Sequence, residues 1–226
     1  MPDRKKIAVI VAGGSGLRMG STIPKQFMEI GGKPVLHHTI NAFRHAYPDI
    51  RIVLVIPEAH SAYIAPLLVS FDAPPSITIV HGGETRFHSV KNGLATITEP
   101  AVVFVHDGVR ALISPELVRR CCEGALAKGN AIPAIEVKDS LREVDDEGNL
   151  AVDRSRFRII QTPQTFLSEQ LLPAFGQPYD PLFTDEASVA ERFGAEIHLV
   201  EGEERNIKIT RPLDLAIAEV LLATNK

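Results

Sequence analysis

The segment best equipped for chemistry runs Ala12-Gly13-Gly14-Ser15-Gly16-Leu17-Arg18-Met19-Gly20 and is followed by Pro24-Lys25-Gln26. Glycines let consecutive backbone N–H groups turn toward one anion, because no Cβ blocks close approach. Arg18 and, seven residues on, Lys25 add two cations to that cradle, and Pro24 fixes the backbone just before the lysine. Cations gathered over a phosphate suit a reaction that builds negative charge at phosphorus. Plain solvated surface cations are the competing reading.

Two familiar phosphate loops fail the spacing test. A Walker loop needs a lysine directly after its last glycine, and none stands there. A dinucleotide fingerprint needs Gly-x-Gly-x-x-Gly and an acid closing the second strand, but Gly14, Gly16 and Gly20 are spaced differently and Glu58 comes too late.

Asp107 follows the apolar run Val102-Val103-Phe104-Val105 and is expected to project from a strand's carboxyl end; a helix-capping aspartate is the alternative. The eight histidines show no zinc-like spacing. The acids Asp185 and Glu186 are explained by a helix start. Cys121 and Cys122 are neighbours, which excludes a disulfide framework, fits a reducing cytoplasm and leaves them as helix-packing residues.

The elements that must position these residues alternate. Strands are expected at Lys6–Ala12, Arg51–Ile56, Ile77–Val80, Val102–His106, Ala131–Ile135, Ile197–Val200 and Ile207–Ile209. Helices are expected at Pro34–Ala46, Glu58–Ser70, Thr85–Thr96, Pro115–Ala127, Asp185–Phe193 and Arg211–Ala223. Ser114-Pro115-Glu116, Thr184-Asp185-Glu186 and Thr210-Arg211-Pro212 read as helix starts led by a hydroxyl cap. The alternation implies an α/β fold, a Rossmann-like doubly wound and mostly parallel sheet, with ligands beyond the strands' carboxyl ends. Residues 138–160 interrupt it as a β-hairpin arm turning at Asp145–Asn149, which fits a lid, a dimerisation element or a solvated hairpin. The 226 residues form one domain on this reading, 45% hydrophobic and 23% charged. A formal charge of −4 argues against a nucleic-acid binder, and the apolar run at Ile7 is too short to span a membrane.

The glycine loop with Pro24-Lys25-Gln26 resembles the 2-C-methyl-D-erythritol 4-phosphate cytidylyltransferases. Gly82-Gly83-Glu84-Thr85-Arg86 with Ser89-Val90, His106-Asp107 with Arg110, and Lys138-Asp139-Ser140 extend the resemblance. So do Val152-Asp153-Arg154, Gln161-Thr162-Pro163-Gln164, Thr184-Asp185-Glu186-Ala187-Ser188 and Asn206-Ile207-Lys208-Ile209-Thr210. The resemblance implies a nucleotidyltransferase-type fold and a homodimer through the 138–160 arm. It implies transfer of a cytidylyl group from CTP to a small polyol phosphate, with Mg2+, in isoprenoid precursor synthesis. By matching positions, Arg18 and Lys25 stabilise the α-phosphate, and Lys208 and Arg154 hold the acceptor phosphate. Ala12, Gly13, Gly83 and Ser89 meet base and ribose, with Gly14, Ser15 and Gly16 in the phosphate loop. Asp107, Arg110, Ser140 and Thr184 orient the polyol, and Asp107 also lies near the metal. The chain departs from the family pattern His-Asp-Ala-Ala-Arg-Pro at Gly108, Val109 and Ala111. That change motivates a second acceptor, ribitol 5-phosphate; a non-catalytic nucleotide-binding protein is the reading from another class.

Overall fold

The computed structural model describes residues 4–14, 20–73 and 75–224. In chain order its elements are β1 (Lys5–Val11), a small ribbon of β2 (Glu29–Ile30) and β3 (Lys33–Pro34), α1 (Val35–Ala46), β4 (Arg51–Ile56), α2 (Ile64–Val69), β5 (Ile77–His81), α3 (Arg86–Leu94), β6 (Ala101–Asp107) and α4 (Pro115–Lys128). Then come β7 (Asn130–Glu136), the hairpin β8 (Leu141–Asp145) and β9 (Gly148–Val152), β10 (Arg158–Ile160), β11 (Gln164–Leu167), α5 (Ser168–Ala174), α6 (Glu186–Arg192), β12 (Leu199–Glu201) and α7 (Pro212–Ala223).

The central sheet runs β10-β7-β11-β6-β1-β4-β5, with β12 on β7. β6, β1, β4 and β5 are mutually parallel, and β12 is parallel to β7, whereas β10 and β11 run antiparallel to their neighbours. Strand alternation sends side chains to two separate cores. Ala8 and Ile10 of β1 pack with Leu36, Ile40 and Phe43 of α1 and with Leu117 and Cys121 of α4. Ile7 and Val9 pack on the other face with Phe87, Val90 and Leu94 of α3 and Leu171 of α5. Helices on both faces explain why β1, β4 and β6 read as continuous apolar runs. Each large aliphatic or aromatic side chain fully buried there contributes roughly 1.5–3 kcal/mol. Burial pushes the Cys121 thiol up to about 12, in keeping with a packing role.

Ser114 caps α4 as expected, accepting from the Leu117 N–H at 3.0 Å, with Pro115 in the first turn. Several expectations need correction. Residues 207–209 form no strand; the Ile209 N–H instead bonds the Val109 carbonyl at 3.0 Å, which holds this segment beside the end of β6. The strand expected at Ile197–Val200 begins two residues later, as β12. The helix expected over Glu58–Ser70 starts as a 3-10 turn, Glu58–Tyr63, before α2, because Pro57 enters with extended backbone and nothing caps the first turn. The cap of α6 is Asp185 rather than Thr184, its carboxylate accepting from the Ser188 N–H at 2.9 Å. Arg211 rather than Thr210 is the cap position of α7, and Thr210 binds the Asp214 carboxylate through both its N–H and its hydroxyl, each at 2.8 Å. β8 and β9 do form a hairpin around the expected turn, but β10, counted within the arm, returns to the central sheet on β7. β11 and α5 escape sequence reading altogether.

Candidate active site

The strand order reverses at β1, with β4 on one side and β6 on the other, and this opens a crevice beyond their carboxyl ends. Val11 opposite Asp107 is the last pair of the β1–β6 ladder. A cavity of about 340 Å3 occupies the crevice. A larger groove of about 530 Å3 lies along β7, β10 and residues 199–204, where Lys138 is already paired with Glu204. That groove carries neither the glycine loop nor Asp107.

At one end of the cavity the lining is mostly backbone. Gly13 and Gly14 leave β1 exposed, and Lys25, only 8% exposed, lies over them. A Cβ built on Gly14 would sit 3.4 Å from Lys25 Cε, so the stem of the lysine rests against the loop. Gln26 is fully buried and staples the loop from below, its Nε2 donating to the Ala12 carbonyl at 2.8 Å and the Gly14 carbonyl at 3.3 Å. Across the cavity, Gly83 donates its N–H to Ser89 Oγ at 3.1 Å. Position 83 tolerates only glycine without movement, since a Cβ there would lie 2.5 Å from that of His88. Ser15, Gly16 and Arg18 lie outside the described residues.

At the other end the lining is charged. Asp107 caps no helix. Its Oδ2 meets Lys208 Nζ at 2.9 Å and Arg110 Nε at 3.5 Å, and its Oδ1 meets Arg86 Nη2 at 3.5 Å. Burial alone would raise the pKa of Asp107, but Arg86, Lys208 and Arg110 outweigh it and hold the carboxyl well below the usual range. Arg86 also grips Glu186, Nη1 to Oε1 at 2.5 Å and Nη2 to Oε2 at 3.0 Å. Burial raises the pKa of Glu186 against the pull of Arg86.

Buried polar groups fix this end from behind. The Asp107 N–H donates to Thr162 Oγ1 at 3.1 Å, and Thr162 Oγ1 lies 3.0 Å from His106 Nδ1. Burial, only partly offset by Asp107, pushes His106 down to about 3, which keeps the ring neutral. Its one proton resides on Nε2, because the Arg110 carbonyl 3.4 Å away can only accept, and Nδ1 then accepts from the Thr162 hydroxyl. Asn206, fully buried, donates to the Thr162 carbonyl at 2.9 Å and accepts from Arg110 Nη1 on its own carbonyl at 2.7 Å, which anchors the segment carrying Lys208.

The structure thus brings together Ala12, Gly13, Gly14, Lys25, Gly83, Ser89, Asp107 and Lys208 around one cavity, with Arg110 against Asp107. It leaves Arg154, Ser140 and Thr184 exposed and off the lining. Arg154, on the arm, donates to the Lys138 carbonyl. Arg86, Glu186, Gln26 and Thr162 sat inside motifs already noted, but no role followed from residue type. Glu186 reads as an ordinary first-turn acid, and only its total burial sets it apart.

The described residues contain no cluster of three or more metal-ligating side chains. Asp107, with three cations already upon it, does not build a cage for a divalent ion. Nor is any helix among the described residues long and apolar enough to cross a membrane.

Comparison with known proteins adds a family to this geometry. The profile of the family described as 2-C-methyl-D-erythritol 4-phosphate cytidylyltransferase matches residues 6–224. Curated proteins of that name from Bacteroides thetaiotaomicron and Porphyromonas gingivalis W83 are 47% and 48% identical, over 96% and 98% of this chain and 100% of each relative. Among solved structures, 4-diphosphocytidyl-2C-methyl-D-erythritol synthase from Anaerococcus prevotii superposes with a TM-score of 0.81 at 30% identity, covering 98% of this chain and 100% of its own. The Thermus thermophilus cytidylyltransferase gives a TM-score of 0.75 at 31% identity, covering 96% and 99%.

Proposed function

Because the chain belongs to the 2-C-methyl-D-erythritol 4-phosphate cytidylyltransferase family, we propose that it joins CTP and 2-C-methyl-D-erythritol 4-phosphate into 4-diphosphocytidyl-2-C-methyl-D-erythritol and pyrophosphate, a step of isoprenoid precursor synthesis. The observation that carries this reading is one cavity with two chemically distinct ends, a glycine cradle under Lys25 and a cation cluster around Asp107.

Ala12, Gly13, Gly83 and Ser89 receive base and ribose, a small pocket of backbone groups and one hydroxyl that suits a pyrimidine. The loop amides of Gly13, Gly14, Ser15 and Gly16 hold the triphosphate, and Lys25, with Arg18, neutralises charge at the α-phosphorus. Lys208 meets the acceptor phosphate, and Asp107 and Arg110 turn the polyol. An acceptor phosphate oxygen then forms a bond to the α-phosphorus as the α–β bridging bond breaks in line, and the electron pair leaves on pyrophosphate. The attacking oxygen is already anionic, so the step requires no general base, and its rate rests on positioning and charge stabilisation. Mg2+ enters as the chelate of CTP, part of the substrate, since the described residues alone supply no cage for it.

The altered segment after Asp107 does not favour ribitol 5-phosphate. Gly108 packs against Ala12 and Leu36, and Ala111 is buried with Ile209 and Leu112, so only Val109 faces the cavity. The whole chain acts as one nucleotidyltransferase domain in a reducing cytoplasm, and two copies associate through the 138–160 arm. Among the described residues the hairpin pairs with no other strand, and it exposes Val144 and Leu150. An isolated two-stranded hairpin is marginal in water and gains from a partner surface. Association brings Arg154 of one subunit, with Ser140, toward the other's acceptor site.

The test is pyrophosphate release from CTP, Mg2+ and the acceptor. Turnover that falls about 100-fold in Lys25→Ala is expected. Release no greater than that of the variant, or a kcat/KM favouring ribitol 5-phosphate, overturns the reading. Sedimentation of the whole chain as a monomer overturns the dimer.

A further inference from the structure

We propose that Arg86 is a positioning residue for the acceptor, working through Asp107 and held in place by its buried pair with Glu186. The inference rests on the reading of the Asp107 end as the acceptor site. Arg86 is the first residue of α3, directly after the turn that presents Gly83 and Thr85 to the cavity. From there its guanidinium crosses toward the opposite end, and α3 thereby links the two ends through one side chain.

The anchor is built for this. Glu186 is 1% exposed and Arg86 only 29%. Two parallel N–H···O bonds, at 2.5 and 3.0 Å, fix the guanidinium plane as a lysine cannot. Glu186 is itself located by the start of α6, where Gln164 of β11 donates to the Asp185 carboxylate at 2.7 Å and accepts the Ala187 N–H at 2.7 Å. Nη2, which already bonds Glu186 Oε2, also lies 3.5 Å from Asp107 Oδ1. That division of labour matters: with Oδ1 turned to Arg86, Oδ2 remains for Lys208 and Arg110. Remove Arg86 and Oδ1 loses that cation, so the carboxylate is held by these cations through Oδ2 alone and Lys208 loses part of the direction in which it meets the acceptor phosphate. A pair that merely filled the core would be sealed, whereas this arginine lines the cavity and makes its third contact with the residue that holds Lys208.

The experiment compares wild type, Arg86→Lys and the double variant Arg86→Met with Glu186→Leu, which leaves no unpaired buried charge. Pyrophosphate release gives kcat and both KM values, calorimetry gives the Kd of CTP without acceptor, and thermal unfolding gives Tm. The expected result is an acceptor KM raised at least about tenfold in the double variant, with a smaller rise in Arg86→Lys. CTP Kd stays within about threefold in both. No change in acceptor KM, or an equal loss in CTP Kd, overturns the inference. Should the double variant fail to fold, Arg86→Lys decides by the same criteria. Wild type inactive with this acceptor overturns the proposed function as well, whereas active wild type with unmoved variants overturns only the role of Arg86.

Discussion

The glycine end of the cavity takes its shape from short stretches of chain that close on themselves: Gly13 and Gly14 under Lys25, and Gly83 bonded to Ser89 six residues on. The Asp107 end is assembled from distant ones, with Arg86 from α3, Asp107 from β6, Lys208 from the segment before α7, and Glu186 from α6 behind them. A backbone cradle presents the same dipoles whatever the neighbouring side chains are, and steric room is its chief requirement. A side-chain cluster stands or falls by mutual charge, because its buried carboxylates, Asp107 and Glu186, are held by the cations beside them. Substitutions at the two ends should therefore separate cleanly, in substrate affected and in kind of damage.

The largest separation is expected from Lys208→Ala. Loss of a charge-assisted contact to the acceptor phosphate lowers acceptor kcat/KM by roughly 10- to 100-fold. KM for CTP moves little, since Asp107 keeps Arg86 and Arg110 and the glycine end is untouched. Steady-state kinetics with each substrate varied in turn checks this, and equal damage to both would mean that the ends are one site.

Asp107→Asn sharpens the contrast through pH. The folded-state pKa of Asp107 lies below its unfolded value, so the carboxylate stabilises the fold above the ordinary aspartate pKa of about 4. That stabilisation is lost as pH falls through the folded pKa. The stability gap between wild type and Asp107→Asn should accordingly be widest near pH 7 and narrow toward pH 3. Glu186, raised by burial, has the opposite sign, but it titrates in both proteins and largely cancels. Urea unfolding at the two pH values reads the gap, and a gap independent of pH would remove charge from the account of this end.

The same difference governs how much was legible in the chain. The glycine loop, the Lys25 turn and the parallel strands are local patterns of type and spacing, and β1, β4 and β6 emerged within a residue or so of expectation. Asp107 was placed because a strand's end is a local event. The Arg86–Glu186 pair spans 100 residues, and nothing in either neighbourhood announces the other. β11 was invisible for a similar reason: Gln164-Thr165-Phe166-Leu167 is too short and too polar to read as a strand, and it becomes one by filling the slot between β6 and β7. The 207–209 segment shows the converse, an alternating Ile-Lys-Ile run that satisfies its backbone against the Val109 carbonyl instead of a neighbouring strand.

Gly83→Ala tests steric room at the glycine end. The added Cβ meets His88 Cβ at 2.5 Å and His88 backbone carbon at 3.2 Å, neither of which is the free tip of a side chain. The turn must shift, at about 1–3 kcal/mol of stability. The Gly83–Ser89 contact loosens with it, so KM for CTP rises several-fold while acceptor KM holds. A rise confined to the acceptor would reverse the assignment of the two ends.

The smallest effect is expected at Gly108, although it directly follows Asp107. A Cβ there would lie 3.0 Å from Ala12 Cβ, 3.1 Å from Leu36 Cδ1 and 3.3 Å from the Val11 carbonyl. These contacts are tight without being prohibitive, and they point into the layer beneath the cavity, not into it. Leu36 Cδ1 is the end of a side chain that yields by a few tenths of an ångström, so Gly108→Ala costs about 1 kcal/mol, a fall in Tm of about 2–4 °C at this chain length. Both KM values should stay near those of wild type, because the Gly108 N–H keeps its bond to the Val11 carbonyl and neither Lys208 nor Arg86 is touched. A large rise in acceptor KM with little loss of Tm would show that position 108 shapes the polyol pocket after all, and the ribitol 5-phosphate comparison would then have to be repeated on that variant.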